Sequence, residues 1–252
     1  MKGFCANISW LYTDRPVIER IAAAKEDGFD AIEMLSPYDE DGQEFRAALR
    51  IHEMPFALMN CPPPNRLGTA QGFAAVPALE DRFHYDLRRC LRFAKQFAPE
   101  HIHIMAGESQ GDEARATFIR NLQFACDQAP AQAFTIEPLN AVDMPGYFLH
   151  DYGDAADIIA AVDRPNLGLQ FDAYHASHIT GAPITTWDSY GHLATHIQIA
   201  GFPNRDEPTS GLAVMDFLMA VKNSSFTGWI SAEYRPTGPV NWLTDIKTAL
   251  LG

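Results

Sequence analysis

Four apolar runs in the second half of the chain each end near an oxygen-bearing side chain. They are Phe134-Thr-Ile-Glu137-Pro138, Leu167-Gly-Leu-Gln-Phe-Asp172, His196-Ile-Gln198-Ile-Ala200 and Trp229-Ile-Ser-Ala-Glu233-Tyr234. Glu137, Asp172, Gln198 and Glu233 are spaced 35, 26 and 35 residues apart, about one strand-plus-helix unit each. Three carboxylates and an amide oxygen brought together repel one another unless a cation lies among them. All-oxygen donors suit Mg²⁺ or Mn²⁺ better than Zn²⁺, which usually takes Cys or His. Such an ion polarises a carbonyl and acidifies the adjacent C–H, and it stabilises the enediolate that forms. A carboxylate can then carry the proton between the two carbons. Glu137 and Glu233 are the candidate base and its partner. Hydrolysis by an activated water would use similar ligands, so the set alone leaves both reactions open.

The elements that must position these residues are legible along the whole chain. Strand-like runs fall at 4–9, 31–35, 55–61, 101–107, 134–140, 167–173, 195–201 and 228–234, with helical patterns between them. Eight such alternations predict a parallel sheet closed into a (β/α)₈ barrel, one domain over 1–252. In that architecture the C-terminal strand ends converge on one mouth, where the chemistry lies. Asp14 and Pro16 start the first helix, Ile18, Ile21 and Ala22 give its buried stripe, and Gly28 stops it. Phe83, Leu87, Cys90, Ala94 and Phe97 give the third helix an apolar face. Asp151 to Asp163 reads as a short Ala-rich helix ended by Pro165. The interval 183–193 is the weakest, with little periodicity around Thr186, Trp187 and Tyr190. The irregular stretch 61–77, which follows the third strand, is expected to lie over the mouth as a flap.

Composition narrows the partners. Of the 252 residues 47% are hydrophobic and 20% charged, as in ordinary globular proteins, and the formal net charge is −13. Nucleic acid is disfavoured, because phosphate binding depends on clustered Lys and Arg. A small anionic substrate is not, since a cationic pocket can sit in an acidic surface. Cys5, Cys61, Cys90 and Cys126 form no CxxC pair and read as buried reduced thiols. The first residues carry no signal-like apolar stretch, and no run reaches membrane-spanning length, so a cytoplasmic location is expected.

Further polar residues cluster near the same strand ends. His175 follows Asp172 by three residues and could meet a substrate hydroxyl, or else cap the loop. His196 precedes Gln198 by two, so it either orients that amide or fills the barrel core. His103 shares a strand with His101 and is a supporting candidate. Arg205 and Glu207 lie after strand seven, and Arg235 follows Glu233. A guanidinium there either neutralises the carboxylates or binds a substrate carboxylate bidentately. Arg205 favours substrate, while Arg235 stands evenly between substrate contact and a structural ion pair.

At these residues the chain resembles the hydroxypyruvate isomerase family, within the xylose-isomerase-like TIM barrels. The matching segments are Ala6-Asn7-Ile8-Ser9, Ser36-Pro-Tyr-Asp39, Met105-Ala-Gly107, Ile136-Glu-Pro-Leu-Asn140, Asp143-Met-Pro-Gly146, Leu169-Gln-Phe-Asp-Ala-Tyr-His175, His196-Ile-Gln-Ile-Ala200, Arg205-Asp-Glu-Pro208 and Ala232-Glu-Tyr-Arg-Pro236. They run in family order over nearly the whole chain. The resemblance implies an isomerase interconverting hydroxypyruvate and tartronate semialdehyde, or related 2-oxo acids, without a redox cofactor. It implies catalytic Glu137 and Glu233, a Mg²⁺ or Mn²⁺ ion on Glu137, Asp172, Gln198 and Glu233, and substrate contacts from His175 and Arg205. Asn7, Asn60 and Arg235 are further candidate substrate contacts. Self-association is implied too, although no outer helix is apolar enough to locate an interface.

The sequence departs from the family in two loops. Gln71 stands where the flap usually carries arginine, with Arg66 as a displaced substitute, and Ser210-Gly-Leu-Ala-Val replaces a more acidic stretch. Both changes bear on substrate rather than on the cation. The nearest rival reading is a ketose 3-epimerase using the same two glutamates, although those enzymes commonly carry histidine in place of Gln198. An endonuclease-IV-like hydrolase would need several histidines and a basic surface. The third rival is a silent barrel that binds without turnover, because its flap arginine is gone.

Overall fold

The computed structural model describes residues 1–62, 72–209 and 212–251. Gln71, Arg66, Ser210 and Gly211, on which the loop departures rest, lie outside the described residues. Eight parallel strands close into a barrel: β1 (Gly3–Asn7), β2 (Ala31–Glu33), β3 (Phe56–Cys61), β4 (His101–Ile104), β5 (Ala133–Ile136), β6 (Leu167–Asp172), β7 (Ala194–Ile199) and β8 (Trp229–Ala232). β8 pairs with β1 from Gly3 opposite Trp229 to Ala6 opposite Ala232, which removes both sheet edges. Pairing stops earlier than the apolar runs predict. Glu137 and Glu233 are each the first residue past their strand, although the Glu233 N–H still donates to Ile199 O at 3.1 Å, and both line the mouth.

The helices are α1 (Val17–Glu26), α2 (Gly42–Ile51), α3 (Glu80–Phe97), α4 (Gly111–Gln128), α5 (Tyr152–Val162), α6 (Ala173–Thr180), α7 (Pro183–Tyr190), α8 (Leu212–Lys222) and α9 (Trp242–Leu251). The expected apolar face of α3 is buried as a set. The stripe of α1 is shifted: Val17, Ile21, Ala23 and Ala24 are buried, while Ile18 is exposed and Ala22 only partly covered. Pro16 stands at the N-cap rather than inside the helix. Asp151 caps α5 by accepting from the Asp154 N–H, and the helix already ends at Asp163 in the left-handed region, before Pro165. The connection from β6 to β7 holds two helices, α6 ahead of the weak interval 183–193 and α7 within it. Asp172 caps α6 directly, its Oδ1 accepting from Tyr174 N at 2.8 Å. Trp187 on α7 then packs edge-on against Phe171 and Phe217.

The apolar core lies mainly between sheet and helices, while the barrel interior is polar. Barrels of this architecture are usually filled by branched apolar side chains. Here a small apolar cluster of Cys5, Ala31, Ala57 and Trp229 is followed by buried Asn7, Glu33, His103, Thr135, Gln170, His196, Gln198 and Ser231. All four cysteines are buried free thiols. Among the described residues no helix is long and apolar enough to cross a membrane.

Candidate active site

The C-terminal mouth holds a cavity of about 280 Å³, lined by Glu137, His175, Gln198, Arg205, Glu233 and Arg235 among others. Glu137, Asp172 and His175 bring one ligand-capable atom each to within 4.8 Å of one another. Glu137 Oε1 and Asp172 Oδ2 are buried without a hydrogen-bond partner. Burial first, then the neighbouring Asp172 and Glu233 carboxylates, push the Glu137 carboxyl well above its ordinary range. Burial likewise raises Glu233 to about 8, against the opposing pull of Arg205.

Arg205 is the cation of this pocket. Its Nη2 lies 3.1 Å from Glu233 Oε1 and 3.6 Å from Asp172 Oδ2. Burial works against its charge, but Glu233, Asp172 and Glu137 more than offset that and raise its pKa. The guanidinium is held between the rings of Trp10 and Tyr174, 5.0 and 4.9 Å from their centroids. Arg235 lies over the outer part of Trp10 at 5.8 Å and lines the cavity from its exposed side. Its backbone N–H donates to the Arg205 carbonyl at 2.7 Å, which ties the two loops together. Glu207 points away, accepting from Thr237 and Gly238.

His175 is oriented by Asn140. The Asn140 Oδ1 accepts from the N–H groups of Val142 and Asp143, which fixes its amide. Asn140 N and Nδ2 then both face His175 Nδ1, at 3.0 and 2.8 Å, so Nδ1 must accept. Burial lowers the His175 pKa to about 4, leaving a neutral ring with its proton on Nε2. That N–H lies 3.6 Å from Asp172 Oδ2. The ring therefore meets the site as a hydrogen-bond donor.

The family model for the xylose isomerase-like TIM barrel matches residues 21–250. The chain belongs to this family. A 2-oxo-tetronate isomerase of Cupriavidus necator is 40% identical over 243 residues, covering 94% of both chains. The hydroxypyruvate isomerase of Escherichia coli is 30% identical over 243 residues, again 94% of each. A crystal structure titled AP endonuclease, family 2, from Brucella melitensis superposes with a TM-score of 0.92 at 31% identity, covering 97% and 99%. The similarity to the named isomerases, over nearly full length, places the chain among isomerases.

Within this xylose isomerase-like barrel the structure distributes the expected site residues unevenly. Glu137 and Asp172 converge with His175, which the sequence reading gave to substrate. Gln198 and Glu233 line the same cavity, but Gln198 Oε1 accepts from Gln170 and Glu233 is paired with Arg205. Asn60 lines the cavity, its Nδ2 3.7 Å from Met105 Sδ. Asn7, expected at the substrate, is instead fully buried below the cavity: its Nδ2 donates to Glu33 and its Oδ1 accepts from Ser9 N. His196 lies at that level too, 2.6 Å from Glu33. Sequence reasoning missed Glu33, Gln170, Trp10 and Asn140. Strand alternation from Asp172 and Asn7 marks Gln170 and Asn7 as inward residues, but nothing local marks Glu33 or Trp10.

Proposed function

We propose that this barrel is a metal-dependent isomerase of small hydroxylated 2-oxo acids, interconverting such an acid and its aldehyde isomer by enediolate proton transfer. Hydroxypyruvate with tartronate semialdehyde, or a related 2-oxo acid, is the expected pair. The observation that carries the reading is the convergence of Glu137, Asp172 and His175 on a cavity that Glu233 and two arginines also line. The names of relatives at 30–40% identity support the substrate class.

The residues fit a divalent cation. Two buried carboxylate oxygens, Glu137 Oε1 and Asp172 Oδ2, lack a hydrogen-bond partner, and such orphans are costly unless something else satisfies them. Glu137 and Asp172, with Gln198 Oε1 and Glu233 completing the set, would hold Mg²⁺ or Mn²⁺. When bound, the ion would polarise the substrate carbonyl and stabilise negative charge on the enediolate oxygens. Glu137 and Glu233 come from different parts of the ring, just past β5 and β8, and act as base and returning acid at adjacent carbons. His175 Nε2–H donates to a substrate oxygen. Arg205 keeps Glu233 oriented and balances the carboxylates. Arg235 has no carboxylate within ion-pair distance among the described residues, so it is free to take the substrate carboxylate.

A cavity of about 280 Å³ suits a small acid, lying just below the roughly 300–1,000 Å³ usual for drug-sized ligands. The formal net charge of −13 opposes a polyanionic substrate. Four buried free thiols support a reducing, cytoplasmic location. The test is a panel of 2-oxo acids and ketoses in D₂O, with and without EDTA, followed by NMR. Deuterium entering hydroxypyruvate or a related 2-oxo acid, and stopping with EDTA, is expected. Exchange confined to ketoses would replace this reading with the 3-epimerase one.

A further inference from the structure

The polar interior of the barrel contains one continuous, directional chain of side-chain hydrogen bonds that ends under the site. Thr135 Oγ1 donates to Gln170 Oε1 at 3.0 Å, and Gln170 Nε2 donates to Gln198 Oε1 at 2.8 Å. Gln198 Nε2 donates in turn to Glu33 Oε1 at 2.6 Å. Gln170 Nε2 also reaches Glu137 Oε2 at 2.8 Å. Gln170, Gln198 and Glu33 come from β6, β7 and β2, and all three are buried. The direction of the chain is set at its far end. Glu33 Oε1 faces two amide donors, Asn7 Nδ2 at 2.7 Å and Gln198 Nε2, so it accepts whether or not the carboxyl carries a proton on Oε2. Oε2 is occupied separately by His196 Nε2 at 2.6 Å.

An amide side chain at Gln198 has two ends of similar shape and opposite polarity. Only the oxygen end can face a cation or accept at the site. With the NH₂ drawn down to Glu33, the oxygen is left on the side of Gln170, Glu137 and the cavity. Turning the amide over would set its carbonyl against Glu33 Oε1 and its NH₂ against Gln170 Nε2, two buried mismatches at once.

We infer that Glu33 and Gln170 are positioning residues, which fix Gln198 with its oxygen toward the site and hold Glu137 in register with it. The inference rests on the proposed role of Gln198 as a cation ligand. Partners behind metal ligands typically contribute about 10–100-fold to metal affinity.

Mn²⁺ titrated calorimetrically into the purified full-length protein tests this. Glu33→Gln keeps an acceptor oxygen for Gln198 and Asn7, and its new amide can donate to neutral His196. Glu33→Met has similar bulk and no acceptor. Glu33→Gln is expected to bind Mn²⁺ within about threefold of wild type, and Glu33→Met about 10–100-fold more weakly. Rescue by the glutamine variant is a result that bulk packing alone does not give. Should Glu33→Met fail to fold, Gln170→Met decides: it leaves Glu33 and its partners intact, and a roughly tenfold loss is expected. A folded Glu33→Met or Gln170→Met with wild-type affinity, or Glu33→Gln as weak as Glu33→Met, overturns the inference. Wild-type protein that binds no Mn²⁺ sinks the cation reading and takes this one with it. Normal wild-type binding that the variants retain sinks the positioning role alone.

Discussion

Arg205 holds Glu233 in a nearly buried ion pair, Nη2 to Oε1 at 3.1 Å, while the guanidinium lies over the Trp10 and Tyr174 rings. The backbone at Arg205 adopts a left-handed φ of 56°, fixed by its N–H donating to Gly201 O. The planar group fits the slot between Trp10 and Tyr174, and a rounded ammonium does not stack there in the same way. Arg205→Lys is expected to lower kcat/KM by about 10–100-fold, as for loss of a buried charged hydrogen bond. Steady-state kinetics on the 2-oxo acid substrate, beside a thermal melt that stays near wild type, would check this.

The two glutamates carry a sharper expectation. Glu137→Gln and Glu233→Gln preserve shape and remove the base. Each is expected to lower kcat by about 10²–10⁴-fold, the range for a positioned acid–base group. Far-UV circular dichroism should remain that of the wild-type barrel. Near wild-type turnover in both single variants would remove them from the reaction.

Arg235 separates acids from neutral sugars. Arg235→Gln should raise KM for a 2-oxo acid by about 10–100-fold and leave kcat within a few-fold. Exchange of any neutral ketose that the enzyme accepts should be little changed. Equal losses on both substrate classes would point to a structural role instead.

The tautomer of His175 is open to direct observation. The ¹⁵N shifts of labelled histidine should report the Nε2–H form, because the Asn140 backbone N–H and side-chain Nδ2 both donate to Nδ1. Asn140→Asp keeps the backbone donor but sets a carboxylate against the Nδ1 lone pair, so the ring should lose its position and activity should fall about tenfold, the size of one lost hydrogen bond. An Nδ1–H form in the wild-type protein would refute the orientation described above.

Stability of the EDTA-treated protein should depend on pH with a definite sign. Glu33 and Glu233 move from an ordinary value of 4.5 up to about 8, chiefly through burial. The folded state therefore holds protons that the unfolded chain has released, and stability falls as pH rises toward 8. Four buried histidines act oppositely. His101 and His175 are lowered to about 4, and His103 and His196 to about 3, again chiefly by burial. Below their ordinary value of 6.5 the unfolded chain binds more protons at these sites, so stability rises with pH there. The histidine contribution fades as pH rises from about 6.5 to 7.5, and the carboxyls dominate from there to about 8. The melting temperature in EDTA is expected to fall across that window, and excess Mn²⁺ should flatten the slope by holding the carboxylates ionised. A melting temperature that climbs from about pH 7.5 to 8 in EDTA would contradict the buried carboxyls.

Much of the fold was legible because a barrel strand buried on both faces leaves an apolar run between turn signals. All eight runs became strands, and α3 buried the five residues its spacing selected. Boundaries were less legible, because composition does not mark where strand pairing ends: β5 stops at Ile136 and β8 at Ala232, short of the runs read from the sequence. In α1 apolar character did not single out the inward face, since Ile18 is exposed while Val17, Ile21, Ala23 and Ala24 are buried. Asn7 shows a further limit. It lies on an inward strand position like the site residues, yet the closeness of Glu33 draws its amide down into the barrel.

By itself the sequence determined which oxygen-bearing residues stand at the ends of β5 to β8, because a period-two strand and a repeating βα unit are properties of local order. Tertiary structure alone decided which of them meet. Glu33 and Gln198 are 165 residues apart and Trp10 and Arg205 are further still, so only closure of the ring brings them together. In that low-dielectric interior each buried donor must find an acceptor, and the pairing that results sets which atoms face the cavity.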